Sequence, residues 1–164
     1  MQSRARTIFA WAVALAWAGF VWGLGTDGFS ASETSRFLGP LLDWLRPELD
    51  AVARTRALFA VRKLAHVVEY GVLALLVGRA LAITTGARMR FVVAAALACV
   101  LALAAADETR QTKTAHRTGA ASDVVLDVAG GALALGIWLA QKRARGRALF
   151  EATQGLAPGG HDGR

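Results

Sequence analysis

The sequence predicts an all-α, polytopic membrane helical bundle of about four transmembrane helices, with an additional amphipathic interfacial helix. Two observations carry this expectation. First, 55% of the 164 residues are hydrophobic, and charged residues make up 19%, against ~25% in ordinary soluble domains. Second, charge is missing in blocks. Residues 7–26 and 91–106 contain no charged side chain, and residues 133–140 form a third apolar run. A spanning helix needs ~20 mainly apolar residues, and several segments approach that length. Short spans must pack on one another to hide their polar groups, so residues 1–141 read as one transmembrane domain.

The first span is expected at residues 7–24. Arg4 and Arg6 precede it, and it carries Trp11, Trp17 and Trp22. A cleaved signal peptide also begins with basic residues and an apolar core. This core is long and tryptophan-rich, and no A-x-A site follows at a convincing position, which favours a retained anchor. Residues 26–63 form the longest connection. Leu38, Leu41, Leu42, Leu45, Leu49 and Val52 recur there at helical spacing, predicting an amphipathic helix lying on the membrane. Pro40 suits a first turn, and Pro47 should kink or split the helix. The remaining spans are expected at residues 64–84, 91–106 and 122–141. Lys142, Arg143, Arg145 and Arg147 follow the last of them. The Gly-rich end after these completes a cytoplasmic tail, residues 142–164, expected to be disordered.

The net charge is +7. Nucleic acid is not the expected partner, because the basic residues flank apolar spans, where lipid headgroups and topology explain them. Cys99 is the only cysteine, which excludes an internal disulfide and a cysteine metal cluster. With the N-terminus inside, nine basic residues near span ends face each side. Two features break the tie. Arginines precede the first span and none follows it closely, and the 142–147 cluster has no acidic neighbour before Glu151. Both termini are therefore expected in the cytoplasm.

On that topology the ionisable residues gather at one membrane face, the extracytoplasmic one. Lys63, His66 and Glu69 begin the second span. Asp107, Glu108 and Gln111 end the third, Arg117 lies in the following loop, and Asp123 and Asp127 begin the fourth. Lys63, His66 and Tyr70 share a helix face at i, i+3 and i+7, and Asp123 and Asp127 lie one turn apart. That second face continues to Gly130 and Ala134, small enough for close helix approach. Each feature alone has a plain reading: an interfacial histidine, a snorkelling lysine, a capping aspartate, a packing notch. Asp127 is harder to treat so, because an unpaired carboxylate within a span costs ~2.5–3.5 kcal/mol or more; Lys63 or Arg117 is the expected partner. For acid–base chemistry, the catalytic candidates are His66 with Glu69 or Glu108. The substrate-binding candidates are Lys63, Tyr70, Asp107, Gln111, Arg117, Asp123 and Asp127. No cofactor is expected. A divalent metal held by His66, Glu108 and Asp123 is a minor alternative. No nucleophile elbow, H-E-x-x-H or Walker loop is present.

Two stretches resemble the VanZ-like family of small bacterial membrane proteins. Arg62-Lys63-Leu64-Ala65-His66-Val67-Val68-Glu69-Tyr70 is similar to that family's R-K-x-A-H-x-x-E-Y. Asp107-Glu108-Thr109-Arg110-Gln111, then Arg117-Thr118-Gly119 and Asp123 to Gly130, are similar to its D-E-x-H-Q, P-G-R-x-G and D-x-x-x-D/N-x-x-G. Arg110 stands where the family often has histidine, and Ala115-His116 where Pro-Gly usually precedes the arginine. Both departures weigh against a metal. The resemblance implies a multi-pass protein of the bacterial cytoplasmic (inner) membrane with a cell-envelope role. The family's namesake is associated with low-level resistance to teicoplanin, a glycopeptide antibiotic.

Three functions stay open at this point. The first is a polar site handling lipid-linked or glycopeptide headgroups, with membrane lipids as partners. The second is an intramembrane hydrolase or transferase acting on a lipid-linked substrate. The third is a small transporter or flippase, which four spans would support best as a homo-oligomer.

Overall fold

Long uncharged blocks leave the backbone no partner in a bilayer but itself, and helices satisfy every amide locally. The computed structural model describes residues 2–26, 31–111 and 121–155. Over these the chain forms α1 (Gln2–Leu24), α2 (Ala31–Leu45), α3 (Ala51–Thr85), α4 (Met89–Gln111) and α5 (Ala121–Gly155). Helices α1, α3, α4 and α5 are long and apolar enough to cross a membrane.

Helix boundaries differ from the sequence expectation wherever polarity was taken for a break. The helix that carries the second expected span begins well before Leu64. Asp50 caps α3, its carboxylate accepting from the Ala53 amide at 2.7 Å, and one helix runs from Ala51 to Thr85. Gly86 closes it with φ 59°, a left-handed conformation that glycine adopts without a Cβ clash. The amphipathic helix is shorter than Leu38 to Val52 implies: α2 stops at Leu45, before Pro47. Pro40 lies inside α2 and not in its first turn, at the cost of one backbone hydrogen bond. An ion pair between Arg54 and Asp43, at 2.6 Å, ties α3 to α2. Helix α5 continues past Gln141 to Gly155, where disorder was expected from Lys142. Ala, Leu, Gln, Lys and Arg dominate that stretch and all propagate helix well. The Gly-rich end from 156 lies outside the described residues.

Helix α3 is the central element and packs on α1, α4 and α5. It runs antiparallel to α1, as two tryptophan hydrogen bonds record: Trp11 Nε1 to Thr84 Oγ1 and Trp17 Nε1 to the Glu69 carbonyl, both 2.9 Å. It runs parallel to α5, and here small residues set the spacing. A Cβ placed on Gly130 would meet the Val67 carbonyl oxygen at 2.6 Å and its Cα at 2.9 Å. Gly71 faces Ala134 and Gly131 faces Ala74 in the same seam. The core is accordingly built of Ala14, Ala74, Ala80, Ala96, Val92 and Val100, with Tyr70, Leu73 and Leu135 as its larger members. Large apolar side chains such as Phe9, Phe20, Phe91 and Leu133 point outward and are exposed. Helices apolar all round are stable with acyl chains as their surroundings.

The up-and-down order gives the bundle two ends. One gathers the C-terminal ends of α1 and α4, the N-terminal half of α3 and the start of α5. The other gathers the start of α1, the end of α3, the start of α4 and the second half of α5.

Candidate functional site

The first of these ends holds the polar residues that the sequence singles out, and the α3–α5 seam arranges them in register. Lys63 forms an ion pair with Asp123, on the first turn of α5. One turn deeper, His66 Nδ1 lies 3.1 Å from Asp127 Oδ1. Deeper again, the side chains shrink to the Gly130 contact with Val67 and the Gly71 contact with Ala134. The ladder follows directly from sequence spacing. Lys63 and His66 are three residues apart, Asp123 and Asp127 four, so parallel helices with their small residues in contact bring a nitrogen-bearing side chain to a carboxylate at two successive levels.

The pairing corrects two expectations. Asp127, 4% exposed, is partnered by His66 and not by Lys63, which goes to Asp123. His66 takes its carboxylate from α5 and not from Glu69 or Glu108. Glu69 stays on the edge of the cluster, half-buried, while its backbone carbonyl receives Trp17.

Helix α4 supplies a second pair. Asp107, 5% exposed, accepts a hydrogen bond from Arg110 at 2.5 Å. The same guanidinium donates to the Trp22 carbonyl at 2.8 Å and stacks over the Trp22 ring at 4.3 Å. Gly25 passes so close to Asp107 and Arg110 that a Cβ there would overlap both. Arg110 thus clamps α4 to the end of α1.

Tyr70 joins the two pairs. Its ring stacks on His66, with centroids 6.4 Å apart and planes 7° from parallel. It lies within electrostatic reach of Asp127, Asp107, Glu69 and Arg110. The side chain is 1% exposed, and its hydroxyl has no hydrogen-bond partner among the described residues. Glu108 is half-buried on α4 beside Asp107. Arg117 and the Gln111 side chain lie outside the described residues. Among the described residues, no group of three His, Cys, Asp or Glu side chains is arranged to hold a metal.

Trp17, Trp22 and Gly25 are absent from the sequence-derived candidates. The only signal for them is the recurrence of tryptophan toward the end of the first span. It gives no hint that their partners are a carbonyl on α3 and a guanidinium on α4.

Chemically, this end offers two buried carboxylates, each beside a nitrogen donor, an imidazole with its Nδ1 engaged, a half-buried ammonium and an orphaned phenol. Such a set can bind a zwitterionic or multiply hydroxylated headgroup, or shuttle a proton. The model of a family described as VanZ/LLP1 matches residues 9–142, a stretch that includes every one of these groups. No curated protein and no solved structure matches the chain.

Proposed function

The chain belongs to the VanZ/LLP1 family, and from that premise we propose that the cluster is a ligand site at the extracytoplasmic face of the bacterial inner membrane. It receives the polar headgroup of a lipid-linked envelope component or of a glycopeptide such as teicoplanin. Lys63 and Arg110 would meet phosphate or carboxylate groups, while Asp107, Asp123 and Asp127 orient hydroxyl and amine substituents. One observation carries the reading above a purely structural ion-pair network: the Tyr70 hydroxyl is buried at the junction of both pairs and lacks a partner among the described residues. Leaving such a group unsatisfied costs ~1–3 kcal/mol. A network built only to hold helices together would do better with phenylalanine there.

The test is teicoplanin susceptibility of a Gram-positive host expressing the chain, with membrane protein level measured for every variant. The panel is Tyr70→Phe, His66→Ala, Glu108→Ala, Arg117→Ala and Asp127→Asn. Loss of protection by Tyr70→Phe and Asp127→Asn at normal membrane levels is the expected result. Full protection by both variants would remove the proposal.

A second reading is favoured by the His66–Asp127 contact. A carboxylate on Nδ1 fixes the ring and leaves Nε2 as the nitrogen for proton transfer. On this reading the chain is an intramembrane hydrolase or transferase of a lipid-linked substrate, with His66 as general base. Undiminished product release by His66→Ala from a labelled lipid-linked precursor would dismiss it.

A further inference from the structure

At the opposite end of the bundle, charge is distributed in another way. Nine basic residues lie there, from Arg4 to Arg147, against a single acidic one among the described residues, Glu151. Topology accounts for basic residues beside a span. It does not account for their convergence. Arg6 of α1, Arg79 of α3, and Lys142 and Arg145 of α5 line one pocket of about 270 Å³, together with Trp138 and Gln141. No carboxylate lies in that lining, and none of the four cations forms an ion pair among the described residues. Four like charges on three different helices repel one another. An anion between them removes the penalty.

Arg79 sharpens the point. It sits six residues before the end of α3, between Gly78 and Ala80, about 9 Å inside the helix end at 1.5 Å per residue. The residue is exposed, so from that level its long side chain can carry the guanidinium to the headgroup layer. Lys142 is oriented as well, its ammonium 4.7 Å from the centre of the Trp138 ring.

The pocket is continuous with an apolar groove. Arg6, Arg79 and Ile83 belong to both, and the groove of about 340 Å³ runs on between α1 and α3 along Phe9, Val13 and Leu76. Cations at the mouth and an apolar channel leading into the membrane match one chemistry: a phosphate group attached to an acyl chain. We infer that Arg6, Arg79, Lys142 and Arg145 form a binding site for an anionic phospholipid, with the phosphate among the four cations and one acyl chain in the groove between α1 and α3.

The experiment uses the full chain in mild detergent, with lipid retention counted by native mass spectrometry. The probes are phosphatidic acid, zwitterionic phosphatidylcholine of the same chain length, and inorganic phosphate as competitor. Wild type is expected to retain phosphatidic acid in preference to phosphatidylcholine. Each charge removed should weaken retention roughly fivefold, so Arg79→Gln combined with Arg145→Gln should lower it roughly 25-fold. Arg88→Gln combined with Arg90→Gln removes two charges at the same end but outside the pocket, and should retain lipid like wild type. Replacing Val13 with Trp fills the groove and should weaken retention with all four cations intact. Circular dichroism confirms that each variant keeps its helices. Equal loss in the two arginine pairs would mean a diffuse basic surface and overturn the inference. Displacement of the lipid by equimolar inorganic phosphate would overturn it too, because the site would then recognise phosphate alone.

Discussion

Replacing Gly130 with alanine tests the seam on which the polar ladder depends. The new Cβ would meet the Val67 carbonyl oxygen at 2.6 Å, its Cα at 2.9 Å and its carbonyl carbon at 3.1 Å. All three are backbone atoms of a helix, so no side-chain tip can swing aside. Carbon atoms settle at ~3.5–4.0 Å, which requires α3 and α5 to part by roughly 0.6–1 Å at this level. That movement takes the His66–Asp127 contact, now 3.1 Å, past the ~3.2 Å upper range of a good hydrogen bond. It also loosens Gly71 from Ala134. Overpacking of this kind costs ~1–3 kcal/mol. Gly136, six residues further along α5, has nothing within 4 Å of its hypothetical Cβ. Alanine there should stabilise the helix by ~0.5–1 kcal/mol. The two variants share chemistry, helix and hydrophobicity, and differ only in what the methyl meets. Equilibrium unfolding in mixed micelles with rising SDS fraction, followed by far-ultraviolet circular dichroism, should separate them by about 2 kcal/mol, roughly 30-fold in the folded-to-unfolded ratio. Coincident unfolding curves would refute the seam as the element that fixes the register.

Three further outcomes are expected. Asp127→Ala strands the His66 ring nitrogen and should cost ~1–3 kcal/mol, whereas Asp127→Asn keeps an acceptor and should cost under ~1 kcal/mol; the same micelle titration reads both. Arg110→Lys should destabilise by ~1.5–3 kcal/mol, because an ammonium cannot reach Asp107, the Trp22 carbonyl and the Trp22 ring together; thermal unfolding in detergent measures it. Trp17→Phe removes only the donor to the Glu69 carbonyl and should cost ~0.5–1.5 kcal/mol, with a loss of Trp17 fluorescence but little change in helix content.

What the sequence makes legible follows from which physical signals are local. Helices α1 and α4 are marked by uncharged blocks, and those survive any tertiary arrangement. The start of α3 is not so marked. Ala51 to Lys63 carries arginines and a lysine, and hydropathy reads that as loop, but nothing in it breaks a helix and Asp50 caps it. The same confusion of polarity with disorder hides the helical stretch after Gln141. In the site, spacing identifies which residues share a face: Lys63, His66 and Tyr70 on one helix, Asp123 and Asp127 on the other. Spacing does not give the offset between helices. That offset is set by Gly130 seating on Val67, and it decides that Asp127 receives His66. Trp22 and Gly25 are further beyond reach, since their roles exist only once α1 lies against the end of α4. The basic pocket is the reverse case: every one of its cations is visible in the sequence, but as topology signals, because convergence across α1, α3 and α5 is a three-dimensional fact.

Helix α3 has 35 residues without interruption, about 52 Å at 1.5 Å per residue, against ~30 Å of hydrocarbon. His66 and Arg79 ride on it thirteen residues apart, about 20 Å. The helix is unbroken between those points, and α1, α4 and α5 pack along it. One continuous shaft therefore carries a half-buried imidazole toward one end of the bundle and one of the four clustered cations toward the other.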